Sequence, residues 1–393
     1  MKLPHGVRDW LPGELRRKRG IEQTIRDVAS RWAYEEVQTP AFERFDVLEA
    51  GLGVRLAEQT FTFNDRHGTL LALSPEMTTP IARLVSTRLR NAPLPLRLSY
   101  IAPAYRYEEP QEGRMREFTQ AGCELIGSAS VDADAEVLFM AMEAFDAVGL
   151  RDARFDINHA AVVDGVLEGL GLDRAQAQTA KHLIADRNVV DLRAFVVKHA
   201  PGSRDLDPLL DLALLRGDEH VLEIARKICR TPESLEGIAR LQTIIGRAQA
   251  LGYGERVAID FALLRDLEYY TGFVFEGYVG EIGLSLCGGG RYDSLLPRFG
   301  YDVPAVGWMV GVERLLIALE RRKAAAMHIV VAPDVIVSGS DVVAAQERHK
   351  GRIVRLDLQH RTEAELIAEA RRDGIPRIII VRDGSVKEVA VGA

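Results

Sequence analysis

The sequence predicts an α+β protein centred on an antiparallel strand pair, with a helical insertion and a small α/β domain towards its C-terminus. Three observations carry this. Residues 96–127 read as a strand, a polar loop and a returning strand. From about 160 to 250 apolar residues recur at helical spacing. From about 328 to 393 short β-branched runs alternate with helices, the pattern of a small α/β unit.

In chain order, residues 14–33 put Leu15, Ile21, Ile25, Val28 and Trp32 at roughly helical spacing and predict an amphipathic helix. EEVQTPAF predicts a strand interrupted at Pro40, and a proline there points to an edge, a bulge or an interface. QTFTFND and TLLAL predict a strand pair turning at Arg66, His67 and Gly68. SPEMTTPIARLVSTRL predicts a helix with Pro80 in its first turn. Thr78 or Thr79 then serves as its cap, as a ligand contact, or as both. A helix is expected over 131–148 and a strand at RFDINH.

The insertion follows, with helices at VVDGVLEGL, AQTAKHLIADR, LDPLLDLALL, HVLEIARKI and SLEGIARLQTIIGRAQAL, read as a helical subdomain. Strand character returns at VAIDFALL and RDLEYYTGFVFEGYVG. The glycine-rich run CGGGRYDSLL is expected after a strand, and AVGWMVGVERLLIALERR as a strand entering a helix. Residues 320–326 are charged and small, a linker between a core domain over 1–322 and a C-terminal domain over 328–393. In that domain helices at 341–349 and 362–372 separate strands at IVVAPDVIVSG, RIVRLDL and PRIIIVRDG, and VKEVAV closes it.

Composition narrows the function classes. A chain of 393 residues can bury a full core in two or three domains. No apolar run is long enough to span a bilayer, and the N-terminal stretch lacks an apolar signal core. The expectation is a cytoplasmic protein without a membrane partner. Cys123, Cys229 and Cys287 are scattered and odd in number, with neither metal spacing nor a disulfide framework. His159, His182, His199 and His220 show no clean metal spacing, so no metal is expected. A net charge of −7 argues against nucleic acid as the main partner, though a local basic patch stays open.

The candidate chemistry concentrates in YRYEEPQEGRMREFTQAGCELIG. On the returning strand Gln120, Gly122 and Glu124 face one side and Ala121, Cys123 and Leu125 the other. Gly122 is expected to leave open space between an amide and a carboxylate, with Arg106, Arg114 and Arg116 in the loop above. This suits a pocket for a small molecule carrying both charges. A hairpin with a salt-bridged tip fits the stretch equally. Gly288, Gly289 and Gly290 allow a close backbone approach to a ligand, or a tight turn. They lack the Walker A lysine and the spacing of a dinucleotide fingerprint. In LLRDLEYYTG, Arg265 and Tyr269 share one strand face and Tyr270 takes the other. Arg265 either binds a carboxylate or phosphate or pairs with Asp266 or Glu268. Arg314, at a helix start, either reaches an anion or is a solvated helix residue.

Together and in this order, these segments resemble class II aminoacyl-tRNA synthetases, specifically the histidyl branch and its non-catalytic relatives, over about residues 4–320. QTPAF with Pro40 is similar to the first motif of that class, which lies at a dimer interface. The stretch from Tyr105 to Gly127 is similar to the second motif and VGWMVGVERL to the third. LLRDLEYYTG and CGGGRYDSLL look like the two histidine-specific signatures. The resemblance implies a class II synthetase-like antiparallel sheet flanked by helices. It also implies site roles. Glu76 and Glu124 would hold the amino group of histidine and Gln120 its carboxylate side. Thr78, Tyr269, Tyr270 and Tyr292 would surround the imidazole. Arg106 would meet the α-phosphate of ATP or the amino-acid carboxylate. Arg265 would neutralise a carboxylate or phosphate, and Arg314 the distal phosphates. Glu108 and Arg114 would be further ATP contacts, vestigial where ATP is no longer used.

Departures from the synthetase pattern point within this group. Ser74 and Met77 stand where an arginine and a glycine are usual, and Asp266 and Glu268 interrupt the signature around Arg265. The segments INHAAVVDGVLEGLGL to LLDLALLRGDEHVLEIARKI look like the ATP phosphoribosyltransferase regulatory subunit, a synthetase paralogue that does not aminoacylate tRNA. The C-terminal domain is shorter than the usual anticodon-binding domain and has no basic stripe. The resemblance therefore implies a regulatory subunit with no catalytic residue and no cofactor. Its partners would be a short-form catalytic subunit, a second copy of itself in a dimer, and histidine as feedback effector. Arg106, Glu108, Arg114, Arg116 and Phe118 keep the alternative of a histidyl-tRNA synthetase, with ATP and tRNA as its partners.

Overall fold

The structure is a computed structural model that describes residues 2–108, 115–200, 207–264, 270–280, 285–321, 333–382 and 385–391. Arg114, Arg265, Asp266, Glu268 and Tyr269 lie outside the described residues. The chain divides into two compact units, Met1–Ala325 and Ala326–Ala393.

The first unit opens with α1 (Pro12–Arg31), which has a proline in its first turn and buries Ile21, Ile25 and Val28 along one stripe. Two short strands follow, β1 (Glu35–Glu36) and β2 (Phe42–Arg44). Pro40 lies between them, exposed and in neither strand. The proline therefore separates strands of two different sheets rather than interrupting one strand. Helices α2 (Phe45–Gly51) and α3 (Val54–Glu58) lead to the hairpin β3 (Thr62–Asn64) and β4 (Leu70–Leu73). Its turn uses Gly68 at φ +84°. Asp65 accepts the N–H groups of His67 and Thr69 at 2.8 and 2.9 Å. Strands β2, β4 and β3 form a small sheet of their own.

Next come α4 (Thr78–Arg88), the long hairpin β5 (Leu96–Tyr105) and β6 (Glu117–Ile126), α5 (Val131–Ala147) and β7 (Arg154–His159). The inserted helices are α6 (Ala160–Glu168), α7 (Arg174–Ala185), α8 (Val189–His199), α9 (Asp207–Leu214), α10 (His220–Ile228) and α11 (Pro232–Ala250). The two-residue strand β8 (Arg216–Gly217) lies between α9 and α10. Strands β9 (Val257–Asp260), β10 (Phe273–Tyr278), β11 (Ser285–Arg291) and β12 (Ala305–Gly311) then lead into α12 (Val312–Arg321).

Among the described residues the central sheet has nine strands in the order β1-β5-β6-β12-β11-β10-β7-β9-β8. Its pairs are antiparallel except β1 with β5 and β7 with β9. The insertion does not have a core of its own, contrary to its reading as a subdomain. Val162, Ile184, Leu192 and Ile244 belong to the same buried cluster as Phe155, Ile157 and Leu138 under the sheet. The reason is geometric: α11 packs against α5 and β7, so its apolar stripe closes over the sheet rather than over the other inserted helices alone. The α8 segment escaped the sequence reading. Asn188 caps it, accepting the Asp191 N–H at 3.1 Å.

The second unit comprises β13 (Val335–Ser338), α13 (Asp341–His349), β14 (Val354–Asp357), α14 (Glu363–Asp373), β15 (Arg377–Arg382) and β16 (Ser385–Ala390). Its sheet runs β14-β13-β15-β16, parallel apart from β16. Thr362 and Glu365 form a reciprocal capping box on α14, and Gly374 ends that helix at φ +68°. Among the described residues no helix is long and apolar enough to cross a membrane.

A buried ion pair ties the end of β11 to the start of α5. Arg291 Nε donates to Asp134 Oδ1 at 2.8 Å, and its other nitrogens donate to Ser128 O, Ser130 O and Asp293. Asp134 is fully buried and Arg291 is 4% exposed. Removing one member leaves an uncompensated buried charge. Asp134→Ala is expected to destabilise the protein by roughly 3–5 kcal/mol in urea unfolding, and a loss below about 1 kcal/mol would mean the pair behaves as a solvated one.

Candidate functional site

The site lies on the face of the central sheet opposite α5 and α11, and its floor follows from strand register. Gly122 stands opposite Met309, and Glu124 opposite Gly307. Met309 in turn stands opposite Gly288, and Gly307 opposite Gly290. Residues directly opposite share a sheet face. Gly122, Gly307, Gly288 and Gly290 thus leave that face almost bare across three strands, with Gln120 and Glu124 rising at one side. The glycine run expected after a strand is inside β11 itself. A Cβ on Gly307 would collide with Glu124 Oε2, and one on Gly290 would lie 2.8 Å from the Tyr270 ring. Gly289 points to the core, where a Cβ would lie 2.6 Å from the Phe275 ring. Side chains from neighbouring strands need this space, and that requirement replaces the tight-turn reading, while Gly288 lines the cavity described below.

The space expected beside Gly122 is filled. Tyr100 pairs directly with Gly122 across the hairpin, and a Cβ there would lie 2.6 Å from the Tyr100 hydroxyl. Gln120 Nε2 donates to that hydroxyl at 3.4 Å.

Two carboxylates stand at the start of α4. Glu76 accepts the N–H groups of Thr78 at 2.6 Å and Thr79 at 2.9 Å. Glu76 therefore caps the helix, and neither threonine does. An acidic side chain two residues before the free N–H groups satisfies them and favours the positive helix end. That leaves the Thr78 hydroxyl to donate to Glu124 Oε1 at 3.0 Å. The Thr79 hydroxyl is buried without a hydrogen-bond partner among the described residues. Tyr292, which leaves β11 just after Arg291, donates its hydroxyl to Glu124 Oε2. Burial pushes the Glu124 pKa up to about 8, the Tyr292 and Thr78 hydrogen bonds oppose the rise, and the Glu76 charge adds to it.

Together these groups line a cleft with about 340 Å³ of empty space, open solvent included. Of the expected contacts, Glu76, Thr78, Arg106, Gln120, Glu124, Tyr270 and Tyr292 all line it. Gly307, Met309 and Trp308 also line it and were missed as site residues. The alternation in VGWMVG carried a signal for Gly307 and Met309, which share a strand face. Among the described lining residues Arg106 is the one Lys or Arg. Its Nε donates to Pro75 O at 2.8 Å, and its guanidinium lies 5.2 Å from the Phe118 ring centre.

Other expected contacts stand elsewhere. Arg116 donates from Nε to Glu108 O at 3.2 Å, and its guanidinium lies 4.2 Å from the Tyr107 ring centre. Its backbone N–H bonds to Gly6 O at 2.8 Å, so it fastens the N-terminal segment to the loop. Arg314 Nη1 donates to Ser285 O at 2.7 Å and Arg314 is absent from the cavity lining. It is therefore not a freely solvated helix residue. Glu108 stands beside Arg106, 4.0 Å between Oε1 and Nη1, outside the lining. Among the described residues no three His, Cys, Asp or Glu side chains are arranged to hold a metal ion.

The interior is rich in acceptors, and among the described lining residues its cation belongs to Arg106. That arrangement suits a ligand with N–H donors directed at Glu76, Gln120 and Glu124 and a negative group towards Arg106.

The raised pKa of Glu124 has a consequence for the ligand-free protein. The folded state holds this proton more tightly than the unfolded chain, so its contribution to stability is complete below the unfolded carboxylate range. It is lost as pH rises through about 8. Between about pH 5 and 8, stability is expected to fall by roughly 1.4 kcal/mol per pH unit from this group. Glu124→Gln, followed by denaturant melts across that range, should flatten the slope. An unchanged slope would show that Glu124 stays ionised.

A profile of the family described as Histidyl-tRNA synthetase matches residues 6–315. The chain is 42% identical to an ATP phosphoribosyltransferase regulatory subunit of Moorella thermoacetica, over 95% of this chain and 97% of that one. It is 34% identical to the histidine–tRNA ligase of Methanocaldococcus jannaschii, over 98% of this chain and 92% of that one. Among solved structures, an ATP phosphoribosyltransferase regulatory subunit/histidyl-tRNA synthetase of Bacillus halodurans superposes with a TM-score of 0.83 at 29% identity, covering 96% of this chain and 97% of the other. The nine-stranded sheet, the glycine floor and these likenesses agree. The chain belongs to the ATP phosphoribosyltransferase regulatory subunit family, a branch of the histidyl-tRNA synthetase-like proteins with the class II synthetase fold.

Proposed function

We propose that this chain is a non-catalytic subunit that activates a short-form ATP phosphoribosyltransferase catalytic subunit in the cytoplasm and makes it sensitive to histidine. The complex, a glycosyltransferase, would join ATP to phosphoribosyl pyrophosphate in the first step of histidine biosynthesis. The observation that carries the reading is the division of charge at the site. Glu76, Gln120 and Glu124 line the cavity, while Arg116 and Arg314 are engaged by protein groups outside it. Arg106 is the one arginine among the described lining residues, and a single arginine beside two carboxyl groups suits a carboxylate better than a triphosphate.

In this reading Glu76 and Glu124 receive the ammonium group of histidine, Arg106 its carboxylate, and Thr78, Tyr270 and Tyr292 surround the imidazole. Arg265 and Tyr269 belong to the same proposed set. Histidine transmits inhibition only by binding unequally to the active and inhibited states of the complex. Residues around Pro40, between the central and the small sheet, are proposed to face a second copy in a dimer. A second reading, ligation of histidine to tRNA with ATP, is favoured by Arg106 in the cavity wall and by the similarity to the Methanocaldococcus ligase.

Two measurements separate these readings. Co-purification with a short-form catalytic subunit, followed by its activity assay, should show activation that histidine reverses. Charging of tRNA with histidine at ordinary synthetase rates would instead establish the second reading. In calorimetry Glu124→Ala and Gln120→Ala are each expected to weaken histidine binding by about tenfold or more. Unchanged affinity in both would move the effector to another site.

A further inference from the structure

The row of the sheet that holds Glu124, Gly307 and Gly290 continues through Val274 on β10 to Asn158 on β7, so Asn158 stands on the site's face. The contacts assigned so far give it no role. We propose that Asn158 is a positioning residue: it anchors the turn at 261–263 and thereby sets where Tyr270 stands over Gly290 in the cavity wall. Its effect on the ligand rests on the histidine-binding reading, and its effect on Tyr270 does not.

Backbone pairing between β7 and β9 ends at Ile157 with Ile259. At the next β7 residue a side chain takes over. Asn158 Nδ2 donates to Phe261 O at 3.3 Å and to Leu263 O at 3.1 Å. Its Oδ1 accepts the His159 N–H at 2.7 Å. A carbonyl only accepts and an N–H only donates, so these partners fix the amide in one orientation. Asn158 is fully buried, and without its amide two carbonyls of a turn that has left the sheet would lose these donors. Asp260 closes the same turn. Its carboxylate accepts the Ala262 N–H at 3.0 Å, and its backbone O accepts the Leu263 N–H at 3.0 Å. The chain rejoins the sheet at Gly272, whose O accepts the Ala160 N–H at 2.9 Å, while the Thr271 N–H donates to Arg291 O at 2.8 Å. Both anchors therefore stand where β7 passes into α6. Tyr270 comes just before the second one. Its ring fills the space that Gly290 leaves, and it lines the cavity. Losing the Asn158 donors relaxes the approach to Tyr270, while the pairing of β10 with β7 and β11 keeps the second anchor in place.

The test uses the full-length chain labelled with fluorotyrosine and read by fluorine NMR, with single Tyr→Phe variants assigning the signals. Asn158→Asp keeps the shape and the acceptor for His159 and removes both donors. It is expected to shift or broaden the Tyr270 signal and to leave those of Tyr34 and Tyr253, which pack in the cluster under the sheet, unchanged. A merely structural role would move all three together. Where Asn158→Asp does not fold, Asn158→Ala gives the same comparison without a buried charge. In calorimetry the variant should weaken histidine binding by about three- to tenfold. A Tyr270 signal that stays put, or that moves only along with Tyr34 and Tyr253, overturns the inference. Unchanged affinity in a chain that does bind histidine overturns its link to the ligand. A wild-type chain that binds no histidine, with the Tyr270 signal still moved by Asn158→Asp, overturns the effector reading and supports the anchoring role.

Discussion

Glu124 can occupy its position only because Gly307, one strand away, has no side chain. The carboxyl group lies where a Cβ at residue 307 would be, and the rest of the site is arranged around that use of space. Once Glu124 is buried there, its oxygens need donors, and Thr78 and Tyr292 supply them. Thr78 is available because Glu76 has taken over the capping of α4. The same rule recurs at Gly290 and Gly122, where Tyr270 and Tyr100 use the room a glycine leaves. Packing at this density means that adding a single methyl group at any of these positions forces a neighbour to move.

The electrostatics of the site follow from that packing. Two carboxyl groups and an amide side chain line a cavity in which Arg106 is the one arginine among the described lining residues. Without a ligand the burial of Glu124 favours its protonated form, which relieves repulsion from Glu76. A cationic ligand group would reverse that preference, so ligand binding and proton release are coupled in this arrangement. The described loop arginine Arg116 and the helix-start arginine Arg314 serve protein contacts here. Arginine forms such forked, stacked contacts well, and the same properties suit it to phosphate binding. Residue type therefore could not decide which use each arginine serves.

Much of the architecture was legible before any coordinates. The hairpin from Leu96 to Ile126 is long, with Tyr105 and Phe118 at its loop end, and its period of two placed Gln120 and Glu124 on one face and Cys123 and Leu125 in the core, as observed. The second unit was legible almost element by element, because β13 and β15 are short apolar runs and each helix has a capping residue at its start. Three local readings failed for one reason, a competitor that is distant in sequence or not of the expected type. The cap of α4 is a glutamate. The notch at Gly122 is filled from the paired strand. The glycine run is a strand whose missing side chains make room for Phe275, Tyr270 and the β12 backbone.

What the sequence determined by itself is most of the longer elements, the facing of the second-motif strand and the family, since periodicity and ordered motifs are local properties of the chain. Tertiary structure decided what each polar side chain is for. Glu76 caps, Thr78 and Tyr292 hold Glu124, Tyr100 takes the Gly122 notch, and Arg116 fastens the N-terminal segment. The physical reason is that a hydrogen bond needs its partner within about 3.5 Å, and the fold brings together residues far apart in the chain, as with Glu124 and Tyr292, 168 positions apart.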